Sequence, residues 1–310
     1  MRVLSEGLGF PEGPVALADG SLLLVEIAAG VVSRLRPDGQ RQVVATTGAG
    51  PNGAALGPDG ALYVCINGGF EWHHQPDGTL RPGLQPADYA GGRIERIDLV
   101  TGAVSVLYTH SDKAPLRGPN DIVFDADGGF WFTDLGKRRP RDGDHGGVCY
   151  ARIDGSSCRE VIFPMTTPNG IGLSPDGRRL YVAETTTGRL WGFDVTGPGR
   201  IAPAPGAIAA HGGLLVAGLP GYQLFDSLAV EANGNICVAT LYNGGITVIS
   251  PDGGSIEHVP LPDPLTTNIC FGGPDLRTAY VTLSSTGRLV ALDWPRPGLA
   301  LHWHDRGTFA

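Results

Sequence analysis

Apolar residues in this chain come in short runs of about five, broken every ten residues or so by Gly, Asp, Asn and Pro. No stretch sustains a 3.6-residue apolar period behind a helix cap, so the pattern predicts many strands and few helices. One unit recurs: an acidic or amide residue, a short apolar strand, a Gly/Asp turn, and a second strand with aromatic and β-branched residues. It reads EGPVALADGSLLLVE from Glu12, NGAALGPDGALYVCIN from Asn52, NDIVFDADGGFWFTD from Asn120 and NGIGLSPDGRRLYVAE from Asn169. Two weaker copies are DSLAVEANGNICVAT from Asp226 and NICFGGPDLRTAYVT from Asn268. A Gly-led third strand follows, as in GRIERID at Gly92, GRLWGFD at Gly188, GGITVIS at Gly244 and GRLVALD at Gly287, and then usually a fourth segment. Six four-stranded antiparallel units predict an all-β, six-bladed β-propeller, one domain over residues 1–310. Either RVLSEG at Arg2 or LALHWHD at Leu299 is expected to close the last blade.

In a blade the innermost strand comes first. Glu12, Asn52, Asn120, Asn169, Asp226 and Asn268 are therefore expected to share one end of the central channel, with the Asp-Gly turns at the other. The two longest insertions, Gly68 to Gly92 and Leu135 to Gly147, overhang the same end. Two carboxylates and four amides at a narrow mouth need a countercharge, and a divalent cation in the central channel supplies it. Oxygen ligands suit Ca²⁺, Mg²⁺ or Mn²⁺, with Fe²⁺ and Zn²⁺ as further alternatives.

Composition narrows the function. A charge of −8 speaks against nucleic acid as a partner. The 48 Gly and 25 Pro fit a turn-rich β protein. Five cysteines without CxxC spacing read as buried hydrophobes. Neither a signal sequence nor an apolar run of membrane-spanning length is evident, so no membrane partner is expected and the cytoplasm is the expected compartment. Oligomeric state is not readable. There is no GxSxG elbow, HExxH zinc motif or GxGxxG phosphate loop.

Four segments, FPEGPV at Phe10, PNDIVFDADGGFWFTD at Pro119, PNGIGLSPDGRRLYVAET at Pro168 and VATLYNGGITVISPDG at Val238, occur in an order that resembles the regucalcin/gluconolactonase family of propeller lactonases. The resemblance covers essentially the whole chain. It implies hydrolysis of a small lactone, a sugar lactone or a related one, with one divalent ion held by Glu12, Asn169 and Asp226. Ca²⁺ is placed first among the candidates. It also implies that Asn120 contacts substrate or ion-bound water. Asp226 is the candidate general base, since a carboxylate held at the ion can take a proton from attacking water. The match departs at Phe225, Ser227 and Leu228, which flank Asp226 with other residues than relatives carry. It departs also at Gly118, where some relatives place an arginine for sugar lactones; Arg117 stands one residue further away.

A second ring is expected where the second strands end, at Glu26, Asn67, Asp134, Glu184 and Tyr242. Asp134, beside the inserted loop, is the candidate for substrate contact, along with Asn52 and Asn268 among the openers and His73 and Tyr89 in the first insertion. Trp72 and His74 share that loop, and the run Lys137 to Arg141 is a candidate for steering anions or a solvated loop. Two other functions are compatible with these residues: an esterase or organophosphate hydrolase on the same scaffold, and a non-catalytic metal-binding propeller that docks a ligand or protein.

Overall fold

The computed structural model describes residues 1–207 and 209–305. Six antiparallel sheets form the blades. Their innermost strands are Pro11–Ala16, Pro51–Leu56, Pro119–Phe124, Pro168–Leu173, Leu224–Val230 and Thr266–Gly272. Each innermost strand contacts those of the blades before and after it, and the sixth contacts the first, so the ring closes. Blade 6 takes its outer strand from the N-terminus. Arg2–Ser5 pairs antiparallel with Arg288–Asp293, which settles the closure in favour of the N-terminal segment. The C-terminal segment runs instead beneath the ring: Leu299 N donates to Val230 O of blade 5, and Trp303 Nε1 to Asp125 O of blade 3. Blade 4 carries an extra short strand, Arg200–Ala202, on the same third strand that pairs with its outer strand Leu214–Gly218.

The alternation in each copy is what packs the blades against one another. Leu23, Val25, Leu62, Val64 and Ile66 bury together between blades 1 and 2, and Tyr63, Phe124, Phe130 and Phe132 between blades 2 and 3. All five cysteines are buried and free, as small hydrophobes are expected to be. Among the described residues no helix is long and apolar enough to cross a membrane. A cavity of about 530 Å³ follows the axis. Its walls are the apolar residues of the inner strands, such as Leu56, Ile122, Ile171 and Leu228. Gly13, Asp121 and Asn268 line it toward the opener end, and Leu299, Leu301, His302 and His304 toward the turn end.

Candidate metal and active site

Every inner strand breaks its ladder register at the opener. The shifts fall between Glu12 and Val15, Pro51 and Ala54, Pro119 and Ile122, Pro168 and Ile171, Phe225 and Leu228, and Thr266 and Asn268. A bulge re-aims side chains that strict alternation would send into the blade interface. The residue after each opener is small in four blades, and packing shows why. A Cβ on Gly13 would stand 2.5 Å from Asn52 O, one on Gly53 2.5 Å from Asn120 O, and one on Gly170 2.6 Å from Asp226 O. In these three blades the bulge thus abuts the next blade's opener, which holds neighbouring openers close together.

All six openers are buried, from 2 % exposed at Glu12 to 9 % at Asp226. Asn268 Nδ2 donates to Glu12 Oε2 at 2.7 Å, and Gly13 N donates to the same oxygen at 2.8 Å. Asn169 lies beside Asp226, its Oδ1 accepting from Ser227 Oγ at 3.4 Å and its Nδ2 donating to Thr185 Oγ1 at 3.1 Å. Burial raises the Asp226 carboxyl well above its ordinary range, and the charges of Glu12 and Asp121 raise it further. Glu12 is pushed by burial to about 7, against hydrogen bonds from Asn268, Gly13 and Thr267. Glu12, Asn169 and Asp226, remote in sequence, therefore stand in one neighbourhood.

Asp121 is the functional candidate that the sequence pattern passed over. It occupies the position that is Gly13, Gly53, Gly170 and Ser227 in other blades. Its burial and the Glu12 charge lift its carboxyl to about 7, while Ile122 N donates to Oδ1 at 2.9 Å. The signal was present: among four copies with small residues after the opener, a carboxylate in that slot breaks the pattern.

The second ring serves the loops. Glu26 accepts from Gly9 N at 2.8 Å and Ser33 Oγ at 2.5 Å. Glu184 accepts from Thr166 N, Thr187 Oγ1 and Trp191 Nε1. Asp134, a candidate for substrate contact, takes Arg117 N at 2.8 Å, Gly118 N at 2.6 Å and Gly136 N at 3.2 Å. Each carboxylate clamps the backbone just ahead of an inner strand, and this occupies most of Asp134's acceptor capacity. His73 lies exposed in the hairpin of Trp72–His74 and Leu80–Pro82, with its ring across Gly83. Trp72 turns inward onto Phe10, two residues before Glu12, with ring centroids 5.1 Å apart. Tyr89 is half-buried and donates to Arg117 O at 2.6 Å. Tyr242, at a positive φ of 67°, packs on Tyr222 with centroids 5.0 Å apart.

A family model described as SMP-30/Gluconolactonase/LRE-like region matches residues 10–285. The chain belongs to that family. Curated relatives include Lactonase drp35 of Staphylococcus haemolyticus, 29% identical over 264 residues, which are 84% of this chain and 72% of the relative. Among solved structures, a gluconolactonase of Xanthomonas campestris superposes with a TM-score of 0.72 at 24% identity, covering 94% of this chain and 89% of that one. A calcium-binding regucalcin of Agrobacterium tumefaciens superposes with a TM-score of 0.70 at 20% identity, covering 97% of both. These structures share the fold of this SMP-30/gluconolactonase-like chain.

The ring's chemistry also decides whether an ion fits. Among the described residues no three His, Cys, Asp or Glu side chains form a ready ligand cluster, so other oxygens, amide oxygens among them, would have to complete any shell. The Asn120 Oδ1 meets that requirement, since it is buried with no hydrogen-bond partner. None of the ion pairs among the described residues involves Glu12, Asp121 or Asp226. Buried carboxyls without a basic partner, in a ring that also holds an orphaned amide oxygen, fit a hard divalent cation.

A pH dependence follows. Glu12 and Asp121 have folded values near 7, above 4.5 and 3.8. The folded state thus binds protons more tightly than the unfolded one, and this stabilisation is complete below about pH 4 and lost as pH rises through 7. Shifts from 4.5 and 3.8 to about 7 correspond to on the order of 3 to 4 kcal/mol per group. In chelator, the melting temperature is expected to fall between pH 5 and pH 8, and added divalent ion is expected to reverse the fall. A flat melting profile in chelator would show that these carboxyls do not carry the cost of burial.

Proposed function

We propose that the protein is a metal-dependent lactone hydrolase with Glu12, Asn169 and Asp226 as protein ligands of one divalent ion, Ca²⁺ first among the candidates. The observation that carries this reading is that the buried Glu12, Asp121 and Asp226 carboxyls feel one another's charge with no cationic side chain paired to them. Membership in the SMP-30/gluconolactonase-like family and the relatives named lactonase and gluconolactonase support the same class of reaction.

When bound, the ion would polarise the lactone carbonyl and stabilise the negative charge that develops on its oxygen. In this reading Asp226 accepts the proton of the attacking water, a role supported by its position in the ring beside Asn169. The ester C–O bond then breaks, and the alkoxide released takes the proton back from Asp226 to leave as the hydroxyl of the hydroxy acid. Asn120 holds the substrate or the shell of the ion through its unpartnered Oδ1. Asn52 and Asn268 complete the ring; Asn268 anchors Glu12 by the 2.7 Å bond. Asp121 sits behind them at the head of the axial cavity.

The test is a pH-indicator assay over five- and six-membered lactones, sugar lactones and aryl esters, run before chelation, after it, and after restoring single divalent ions. Loss of hydrolysis on chelation and its return with one ion are expected. Full turnover in the chelated protein would overturn the metal assignment, and turnover on aryl esters alone would favour the esterase reading.

A further inference from the structure

Lys137 opens the inserted loop that overhangs the ring, and it is 3 % exposed. A buried ammonium is costly unless it is paired, yet among the described residues no carboxylate stands within ion-pair distance of it. Its Nζ donates to Gly69 O at 2.6 Å and lies 4.4 Å from the Phe70 ring centroid and 5.6 Å from that of Tyr89. The rings offset part of the burial cost, but they leave N–H groups without an oxygen acceptor. The two nearest acids are engaged elsewhere. Asp134 holds three backbone N–H groups, and Asp144 holds Arg117 Nε, Arg139 Nη2 and Lys137 N. Burial accordingly lowers the ammonium to about 7.

An unpartnered donor flanks the same segment. Asn67 Oδ1 accepts from Gly69 N at 2.7 Å, and its Nδ2 is buried without a partner. Asn67 N donates to Gly50 O at 2.8 Å, and the preceding residue, Ile66, pairs with Pro51, the neighbour of the opener Asn52. An ammonium with a single oxygen acceptor and an amide donor with none thus bracket Gly69 at the mouth of the ring, on the side of blades 2 and 3.

We propose that Lys137 and Asn67 bind a carboxylate carried by the substrate, so that the favoured lactone is an anionic one. The lactone part rests on the hydrolase reading above; the carboxylate site does not. A carboxylate supplies both a direct ion-pair partner, which Asp134 and Asp144 do not provide at their greater distance, and an acceptor for Asn67 Nδ2. It also gives a reason for a buried lysine where an apolar side chain of equal length would pack at lower cost.

The probe is glutarate, with 1,5-pentanediol as its neutral counterpart, titrated calorimetrically into Ca²⁺-saturated protein. Wild type is expected to bind glutarate and not the diol. Lys137→Met is expected to weaken glutarate roughly 10- to 100-fold, with Lys137→Arg losing less and Asn67→Ser an intermediate amount. In parallel, KM is compared for γ-butyrolactone and its γ-carboxylate; wild type is expected to favour the carboxylate, and Lys137→Met to lose that preference through KM. Melting of Lys137→Met separates the alternatives, because a lysine kept for binding is replaced without loss of stability. Should that variant fail to fold, Lys137→Arg and Asn67→Ser carry the comparison. Equal glutarate affinity in wild type and the variants, or no glutarate binding by wild type, overturns the proposal. Lysine-dependent glutarate binding in a protein that hydrolyses no lactone would sink the hydrolase reading and leave this site standing.

Discussion

Asp226→Asn is expected to lower kcat on a lactone by about 10²- to 10⁴-fold, the usual contribution of a positioned general base, while raising the melting temperature of the chelated protein. Asn has nearly the shape of Asp and keeps an oxygen for an ion, so the geometry beside Asn169 survives. What disappears is the proton acceptor and one of three like charges. Because burial and the Glu12 and Asp121 charges together raise the Asp226 carboxyl, its neutral replacement relieves repulsion in the ion-free ring. Glu12→Gln is expected to behave differently. Its carboxylate is fixed by Asn268 and Gly13 and points at the same neighbours, so its loss falls on ion affinity, and excess divalent ion restores part of the rate. Stopped-flow or indicator kinetics at saturating ion, paired with melting in chelator, check both. Full kcat in Asp226→Asn at saturating ion would move the proton acceptor elsewhere, and Asp121 would be the next residue to substitute. A lower melting temperature in chelator would contradict the electrostatic account of the ring.

The repeat made the openers legible because it is enforced twice, by hydrophobic alternation along each strand and by the bulge that turns each opener inward. Closure of blade 6 was ambiguous because RVLSEG at Arg2 and LALHWHD at Leu299 are both short terminal segments that mix apolar and polar residues. Pairing of Val3 with Val290 decided it, a contact between residues almost a chain length apart. Asp134 and Glu184 stand at equivalent ends of second strands and look like site residues in a line of letters. Their partners are backbone N–H groups of Gly118 and Thr166, and backbone donors have no letter. Lys137 was hidden for a related reason: within the run Lys137 to Arg141 it reads as one charge among several, whereas Arg138 and Arg141 are exposed and Lys137 is covered by Phe70 and Tyr89 from another insertion.

Replacing Gly53 with Ala is expected to destabilise the protein by about 3 kcal/mol, the upper part of the range for overpacking, and to lower kcat/KM by about 10²-fold, as a 1 Å displacement of site groups does. The argument is steric. The new Cβ would stand 2.5 Å from Asn120 O, 2.6 Å from Asp121 Cα and 2.8 Å from Asp121 Oδ1. Two of the three atoms are backbone of the neighbouring blade, so relief requires the inner strand of blade 3 to move outward and take Asn120 and Asp121 with it. Gly170→Ala presses on Asp226 O at 2.6 Å and Leu228 N at 2.7 Å, and is expected to act in the same way on Asp226. Gly218→Ala, on an outer strand where the nearest atom is Arg189 Cγ at 3.6 Å, is the matched control and should melt within a degree or two of wild type. If Gly53→Ala and Gly218→Ala melted alike with equal kcat/KM, blades 2 and 3 would part easily. The six openers would then owe their positions to a bound ion rather than to close packing of the ring.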